Sequence, residues 1–109
     1  MTVKDLVCEN DFVSLCEADF TREISCDYCC DMLSVVMGKA PQGCAWVTVM
    51  GNLNAVAVAA LADISVIILA DGSAIDDKML EKAKEQGINV LKTALPIYEA
   101  AAIIGEKIK

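Results

Sequence analysis

From residue 44 onward, the chain alternates between two kinds of apolar segment. Three short runs have the composition of strands, and one of them, "SVIILA", is a continuous apolar run of the kind found in strands covered on both faces. Each run is followed by a segment with the composition or apolar spacing of a helix. This alternation predicts a mostly parallel sheet flanked by helices, with right-handed crossovers. The predicted strands lie near residues 44–50, 65–70 and 88–93.

The segments between and after these strands predict three helices in different surroundings. Residues 54–62 are apolar on every side, so we expect a helix buried all round, capped by Asn52 or Asn54. Residues 76–86 are amphipathic, with acids in the first turn and a glycine as the C-terminal stop. After Pro96, apolar residues recur at helical spacing to the end of the chain.

The N-terminal part of the chain is less regular. Residues 2–9 predict a short amphipathic helix, and two weakly alternating stretches, "FVSLC" and "REISCDY", predict short strands. We expect Asp31 to cap a helix over "MLSVVMGKA" that is ended by Gly38 and "APQG". The whole pattern predicts one three-layer-like α/β domain over residues 1–109.

Charge argues against two classes of partner. The chain has 9 Lys and Arg against 16 Asp and Glu, a net charge of −7. Because binding to nucleic acids or to anionic membrane surfaces needs clustered Lys and Arg, we expect neither. The apolar stretch 53–70 contains Asp63, and an acid at the bilayer centre costs about 2.5–3.5 kcal/mol. We therefore expect a buried helix and a strand in this stretch, in a cytoplasmic protein without a signal peptide.

The apolar content exceeds what one small core needs. Apolar residues make up 56% of the chain, and the mean hydropathy is +0.49. A subunit interface is the usual place for surplus apolar surface, so we expect this protein to form one.

The carboxyl ends of the predicted strands are the first candidate site, since open parallel sheets bind ligands there. The residues that follow the strands are Gly51, Asn52, Asn54, Asp71, Gly72 and Thr93. The turn at Gly51 leads into a helix N-terminus, whose free N–H groups could receive an anion such as a phosphate. The alternative is that Gly51 supplies turn geometry and Asn54 caps the helix.

Arg22 is the only arginine of the chain and lies among acids. It either pairs with a nearby acid (Glu23, Asp19 or Asp27) or acts as an anion clamp or interface ion pair.

Three cysteines lie within five positions: Cys26, Cys29 and Cys30. Their spacing fits a zinc or iron–sulfur site or a redox pair, but reduced cysteine is also a small apolar core residue. On a strand, Cys26 and Cys30 share one face while Cys29 points to the other with Asp27. The charge of Asp31 works against thiolate formation. The interpretation we favour is passive thiols without a cofactor.

The order of elements and several segments resemble the DRTGG-domain family in its small stand-alone form. The match runs from "TVKDLV" to the C-terminus and is closest in "DMLSVVMG", "WVTV", "AVAVAAL", "VIILADG" and "AKEQGINVLKT" through "YEAA". The name-giving motif falls on "TREISCDY", where Arg22 is kept, Ser25 replaces the threonine, and Cys26 and Asp27 replace the glycine pair.

The resemblance implies an α/β domain that is commonly dimeric, generally non-catalytic, and regulatory or ligand-sensing. On this basis Ser25 and Arg22 join the candidate ligand-binding residues. Stand-alone members are often encoded near iron hydrogenase genes in anaerobes.

Two functions remain open. The first is a non-catalytic regulatory or interaction module, a homodimer that senses a small anionic ligand such as a nucleotide or binds a partner protein. The second is a cysteine-based redox or metal protein associated with hydrogenase-type electron transfer. Conventional catalysis is not favoured, because the chain has no histidine and neither a nucleophile elbow nor a phosphate-binding loop.

Overall fold

The computed structural model describes residues 1–108, in which five helices and five strands follow one another. In chain order they are α1 (Val3–Val7), β1 (Val13–Cys16), β2 (Asp27–Cys29), α2 (Leu33–Lys39), β3 (Ala45–Thr48), α3 (Leu53–Leu61), β4 (Val66–Leu69), α4 (Asp77–Gln86), β5 (Asn89–Lys92) and α5 (Ile97–Ile108). None of the helices within this range has the length and apolar character needed to cross a membrane.

The strands form one sheet in the order β1-β5-β4-β3-β2. Strands β2 to β5 are parallel to one another, and β1 pairs antiparallel with β5. The three strands predicted from the apolar runs correspond to β3, β4 and β5. The predicted fold class, an α/β domain with a mostly parallel sheet, is therefore confirmed.

The sheet separates two cores, because neighbouring strand residues point to opposite faces. Trp46 and Ile67 pack with α2, α3 and α4 on one face. Val47 and Ile68 pack with α1 and α5 on the other. Since β2, β3, β4 and β5 are added in one direction, their three connecting helices fall on the same face. The result is the predicted three-layer arrangement.

Helix α3 is buried on one side only, so the expectation of burial all round was wrong. Its inner side chains are buried in the core, and the outer residues are exposed: Leu53, Asn54, Ala57, Ala60 and Leu61. The reason is its position between α2 and α4, where no described element covers its outer side. An apolar composition alone does not show whether a helix is covered.

The ends of three helices agree with the sequence. Asn52 caps α3, as one of the two alternatives proposed, with its side chain accepting from the N–H groups of Asn54 and Ala55. Helix α4 begins after Asp76 and ends at Gly87, whose φ of 69° is readily adopted by glycine. Helix α5 presents its apolar residues to the core shared with α1.

The start of α2 differs from the prediction, whereas the helix ends at Lys39, directly before the predicted stop "APQG". The N-cap position is Met32, without a side-chain cap. Asp31 instead accepts hydrogen bonds from Thr48 Oγ1 (2.7 Å) and the Val49 N–H (3.0 Å). Because Thr48 is fully buried, its hydroxyl needs a partner, and this need outweighs capping. Gly38 lies inside the helix and does not end it.

The predicted strand "REISCDY" pairs with the sheet only from Asp27 onward. The preceding residues belong to a crossing segment (residues 17–26) that leads from β1 at one sheet edge to β2 at the other. Ser65, at the amino end of β4, donates its hydroxyl proton to the Glu23 carbonyl (2.6 Å). These residues are therefore extended across the strand ends rather than along the sheet.

Asn89 fixes the start of the crossing segment. Its side chain is buried at the amino end of β5, with Oδ1 accepting from the N–H groups of Ala18 (2.9 Å) and Asp19 (2.8 Å). Its Nδ2 donates to the carbonyls of Asp19 (2.7 Å) and Ser65 (2.9 Å). Four bonds satisfy this buried amide completely.

Candidate functional site

A cavity of about 440 Å³ opens at the carboxyl ends of β4 and β5. Its floor is a row across three neighbouring strands, in which Val13 pairs with Lys92 and Lys92 with Leu69. The walls come from the loop before α4, with Gly72, Ser73 and Ile75, and from the loop after α1. The cavity therefore lies where open parallel sheets commonly bind ligands.

Few of the residues that line the cavity have polar side chains. Lys92 is the only cation among its described lining residues, and it forms no ion pair within residues 1–108. Asp11 is the only acid there. Ser73 Oγ donates to the Ala70 carbonyl (2.8 Å), and Thr93 Oγ1 accepts from an N–H in the following loop. An exposed ammonium beside an apolar floor is suited to one anionic group with an apolar body.

Two residues predicted at this end of the sheet shape the cavity through the backbone. Asp71 and Gly72 both have left-handed φ angles, 61° and 60°. The Asp71 N–H donates to the Leu95 carbonyl (2.7 Å), and the Gly72 N–H donates to the Thr93 carbonyl (3.2 Å). These bonds join the loop after β4 to the loop after β5. Gly72 and Thr93 line the cavity, whereas Asp71 is not one of its lining residues.

The predicted residues after β3 do not line this cavity. A Cβ on Gly51 would lie 2.3 Å from the Ala74 carbonyl oxygen, so the missing side chain makes room for the loop before α4. Asn52 already occupies the N–H groups of Asn54 and Ala55, which an anion at the α3 N-terminus would need. Gly51 thus serves chain packing, and the cap is Asn52 rather than Asn54.

Arg22 and Ser25 lie at the opposite, amino end of the sheet. Arg22 donates to the Ile64 carbonyl (3.1 Å), the Asp63 carbonyl (3.3 Å) and Asp63 Oδ1 (3.0 Å). The expected pairing with Glu23, Asp19 or Asp27 was therefore wrong. A hydrogen bond from Gln42 and the charge of Arg22 lower the pKa of Asp63.

Ser25 is likewise engaged with the backbone. Its N–H donates to the Gly43 carbonyl (2.9 Å) and its hydroxyl donates to the Gln42 carbonyl (2.8 Å). With Arg22, it attaches the crossing segment to the amino ends of β3 and β4. The candidate ligand residues are thus divided between two ends of the sheet, and one cavity does not unite them.

The cysteines follow the predicted alternation. Cys26 and Cys30 pack with Tyr28 against the core that contains Trp46, whereas Cys29 is exposed. Since Cys29 alternates with Tyr28 along β2, its thiol points away from the other two. Within residues 1–108, no three Cys, Asp or Glu side chains are grouped so that they could hold a metal ion.

The surroundings of two cysteines, Cys29 and Cys44, disfavour ionisation of their thiols. Burial raises the pKa of Cys44 to about 12. Cys29 is exposed, but partial desolvation by the surrounding protein raises the pKa of its thiol, with smaller contributions from the charges of Asp27 and Asp31. The expected effect of Asp31 is confirmed. The metal or redox function stays a prediction that rests on spacing alone.

Several cavity residues were missed by sequence reasoning. Lys92 directly precedes Thr93 at a strand end, so the same topological rule could have included it. Asn10 and Asp11 lie before β1, and the pairing of β1 with β5 has no local sequence signal.

No protein-family model matches the chain, and no curated protein matches it either. The resemblance to the DRTGG-domain family stays a prediction, and the functional argument rests on the geometry of the cavity.

Proposed function

We propose that this protein is a non-catalytic regulatory or interaction module, of the kind the DRTGG resemblance implies, that acts as a homodimer. It binds a small anionic ligand in the cavity at the carboxyl ends of β4 and β5. The observation that carries the proposal is the position of Lys92, whose ammonium has no acidic partner among the described residues and borders an apolar floor.

The cavity restricts the chemistry of the ligand. One lysine suits one carboxylate or phosphate group, and half-exposed Val13 with the partly exposed Ile75 and Leu95 provides apolar surface for the rest of the molecule. A nucleoside monophosphate has this form, with one phosphate for Lys92 and a planar base for the floor. Ser73 and Gly72 also line the cavity, and their polar groups favour a ligand with further polar groups.

The hydroxyl groups support binding rather than covalent chemistry. A serine nucleophile needs an adjacent general base, yet the Ser73 hydroxyl donates to a backbone carbonyl. Thr93 is buried and accepts from the backbone. Their role in the proposal is therefore to shape the cavity.

Isothermal titration calorimetry with AMP, ADP, ATP and small carboxylates tests the proposal. We expect saturable binding of at least one anion, weakened about tenfold or more by Lys92→Met, because a charge-assisted hydrogen bond contributes about 1.5–3 kcal/mol. Lys39→Met, which removes the same charge from the end of α2, is the matched control and should bind as the wild type does. Absence of binding across the panel, or equal affinity in Lys92→Met, would refute the proposal.

A further inference from the structure

The outer face of α3 carries an apolar stripe (Leu53, Ala57, Ala60 and Leu61) at helical spacing, with one polar residue, Asn54, exposed in its first turn. Leu61 is 74% exposed and Leu53 39% exposed. On the neighbouring α2 segment, Met37 is 45% exposed and Met32, at its N-cap, 62% exposed. These four are most of the large exposed apolar side chains in the described part of the chain; the others are Val13 and Tyr98. The exposed apolar surface is thus concentrated on one helical layer.

Charge distinguishes this layer from the rest of the molecule. Helix α2 carries one lysine, α3 carries no charge, and α4 carries three lysines and three acids. The three helices together therefore carry +1, whereas the whole chain carries −7, which leaves −8 on the remainder. Helices α1 and α5 on the other side of the sheet carry a net charge of −1, so most of the acidic surplus lies on the loops and strand segments. Two copies that meet through those loops and sheet edges would bring like charges together, which opposes association, and among the helical layers the one with α3 has most of the exposed apolar side chains.

We propose that a second copy of this chain docks on the apolar stripe, so that the α3 helices of two copies pack against each other across a twofold axis. A twofold contact uses the same patch on both subunits and must be self-complementary. An uncharged central helix meets this requirement, and so does α4, whose lysines and acids are equal in number. The acidic remainder of each copy then faces outward, away from its partner.

The choice of a second copy over a different protein follows from the same features. A partner with strong charge would find no counterpart on this layer, because its net charge is close to zero. Contiguous exposed apolar surface on a small protein marks an interaction site. This inference rests on the homodimer in the proposed function and does not depend on the ligand.

Sedimentation equilibrium over low to high micromolar concentrations tests the proposal on the full chain. We expect a dimer for the wild type. Ala57→Glu and Leu61→Glu should each raise the dimer dissociation constant at least about tenfold, because each places an unpaired carboxylate in an apolar contact. Tyr98→Glu is the matched control, since Tyr98 is 81% exposed on α5 in the opposite layer, and it should dimerise as the wild type does.

A monomeric wild type over the whole range would overturn the proposal and assign the stripe to a different protein. Retention of the dimer in both stripe variants, or its loss in Tyr98→Glu alone, would also overturn it. Hydrogen exchange of the wild type needs no variant: protection of residues 53–61 should increase with protein concentration, and protection independent of concentration contradicts the contact. Calorimetry with AMP on the same samples reports the ligand separately, so the failure of one proposal is distinguishable from the failure of the other.

Discussion

Gly51→Ala should destabilise the protein, although the change adds only one methyl group. The new Cβ would lie 2.3 Å from the Ala74 carbonyl oxygen, a backbone atom that cannot rotate away. The loop is also held by a hydrogen bond from the Asp76 N–H to the Gly51 carbonyl (3.1 Å). Forcing extra volume into a packed site costs about 1–3 kcal/mol, and the reduced entropy of the unfolded chain offsets about 0.4–1 kcal/mol. We expect a net loss of about 1–2 kcal/mol in the free energy of unfolding.

The measurement is urea unfolding followed by circular dichroism, at one fixed protein concentration because the proposed dimer would make stability concentration-dependent. Gly38→Ala is the matched control. A Cβ at Gly38 meets nothing within 4 Å, and alanine is about 0.8–1 kcal/mol better than glycine within a helix. The two variants should therefore shift the unfolding midpoint in opposite directions. A Gly51→Ala protein as stable as the wild type would refute the close approach and return Gly51 to the candidate ligand residues.

Two further predictions concern charge and thiols. Asp63→Asn should lower the free energy of unfolding by up to about 1 kcal/mol at neutral pH. Asparagine tolerates the left-handed φ of 54° at this position, so the change tests the charge and not the backbone conformation. The pKa of Asp63 in the folded protein lies below the ordinary 3.8. The extra free energy of unfolding of the wild type is therefore complete above pH 3.8 and is lost as the pH falls through the folded pKa. A stability difference between the two proteins that persists in acid, measured by urea unfolding, contradicts this. Alkylation with iodoacetamide should modify exposed Cys29 in the native protein, faster as pH rises above 9.0, and buried Cys44 only after unfolding. Equal native rates, measured by mass spectrometry, would show the burial of Cys44 to be wrong.

The strands in the interior of the sheet could be predicted because both of their faces are covered by helices. Strands β3 and β4 are buried at every position, so their sequences contain no polar alternation and differ clearly from the helices between them. The ends of α4 were equally clear, since Asp76 and Gly87 each meet a local backbone requirement. Features decided by neighbouring residues were therefore predicted well.

Features that depend on residues far apart in the chain were not predicted from the sequence. The partner of Arg22 is Asp63, 41 positions along the chain, and only the crossing segment brings the two together. Asp31 is a residue type that commonly caps helices, but its carboxylate instead accepts a hydrogen bond from the buried hydroxyl of Thr48. Likewise, the composition of α3 records its apolar character and not which neighbours cover it. The cavity was partly predicted, because strand ends follow from topology, whereas the contribution of Asn10, Asp11 and Val13 requires the pairing of β1 with β5.

The placement of β1 and β2 has a consequence for truncated forms of the protein. These two strands are consecutive in the chain but occupy opposite borders of the sheet, so one stretch near the N-terminus shields both borders. Its loss would uncover the hydrogen-bonding groups of β5 and β3 simultaneously, and bare borders of this kind recruit strands from other molecules. A shortened chain would therefore tend toward aggregation through two sites at once.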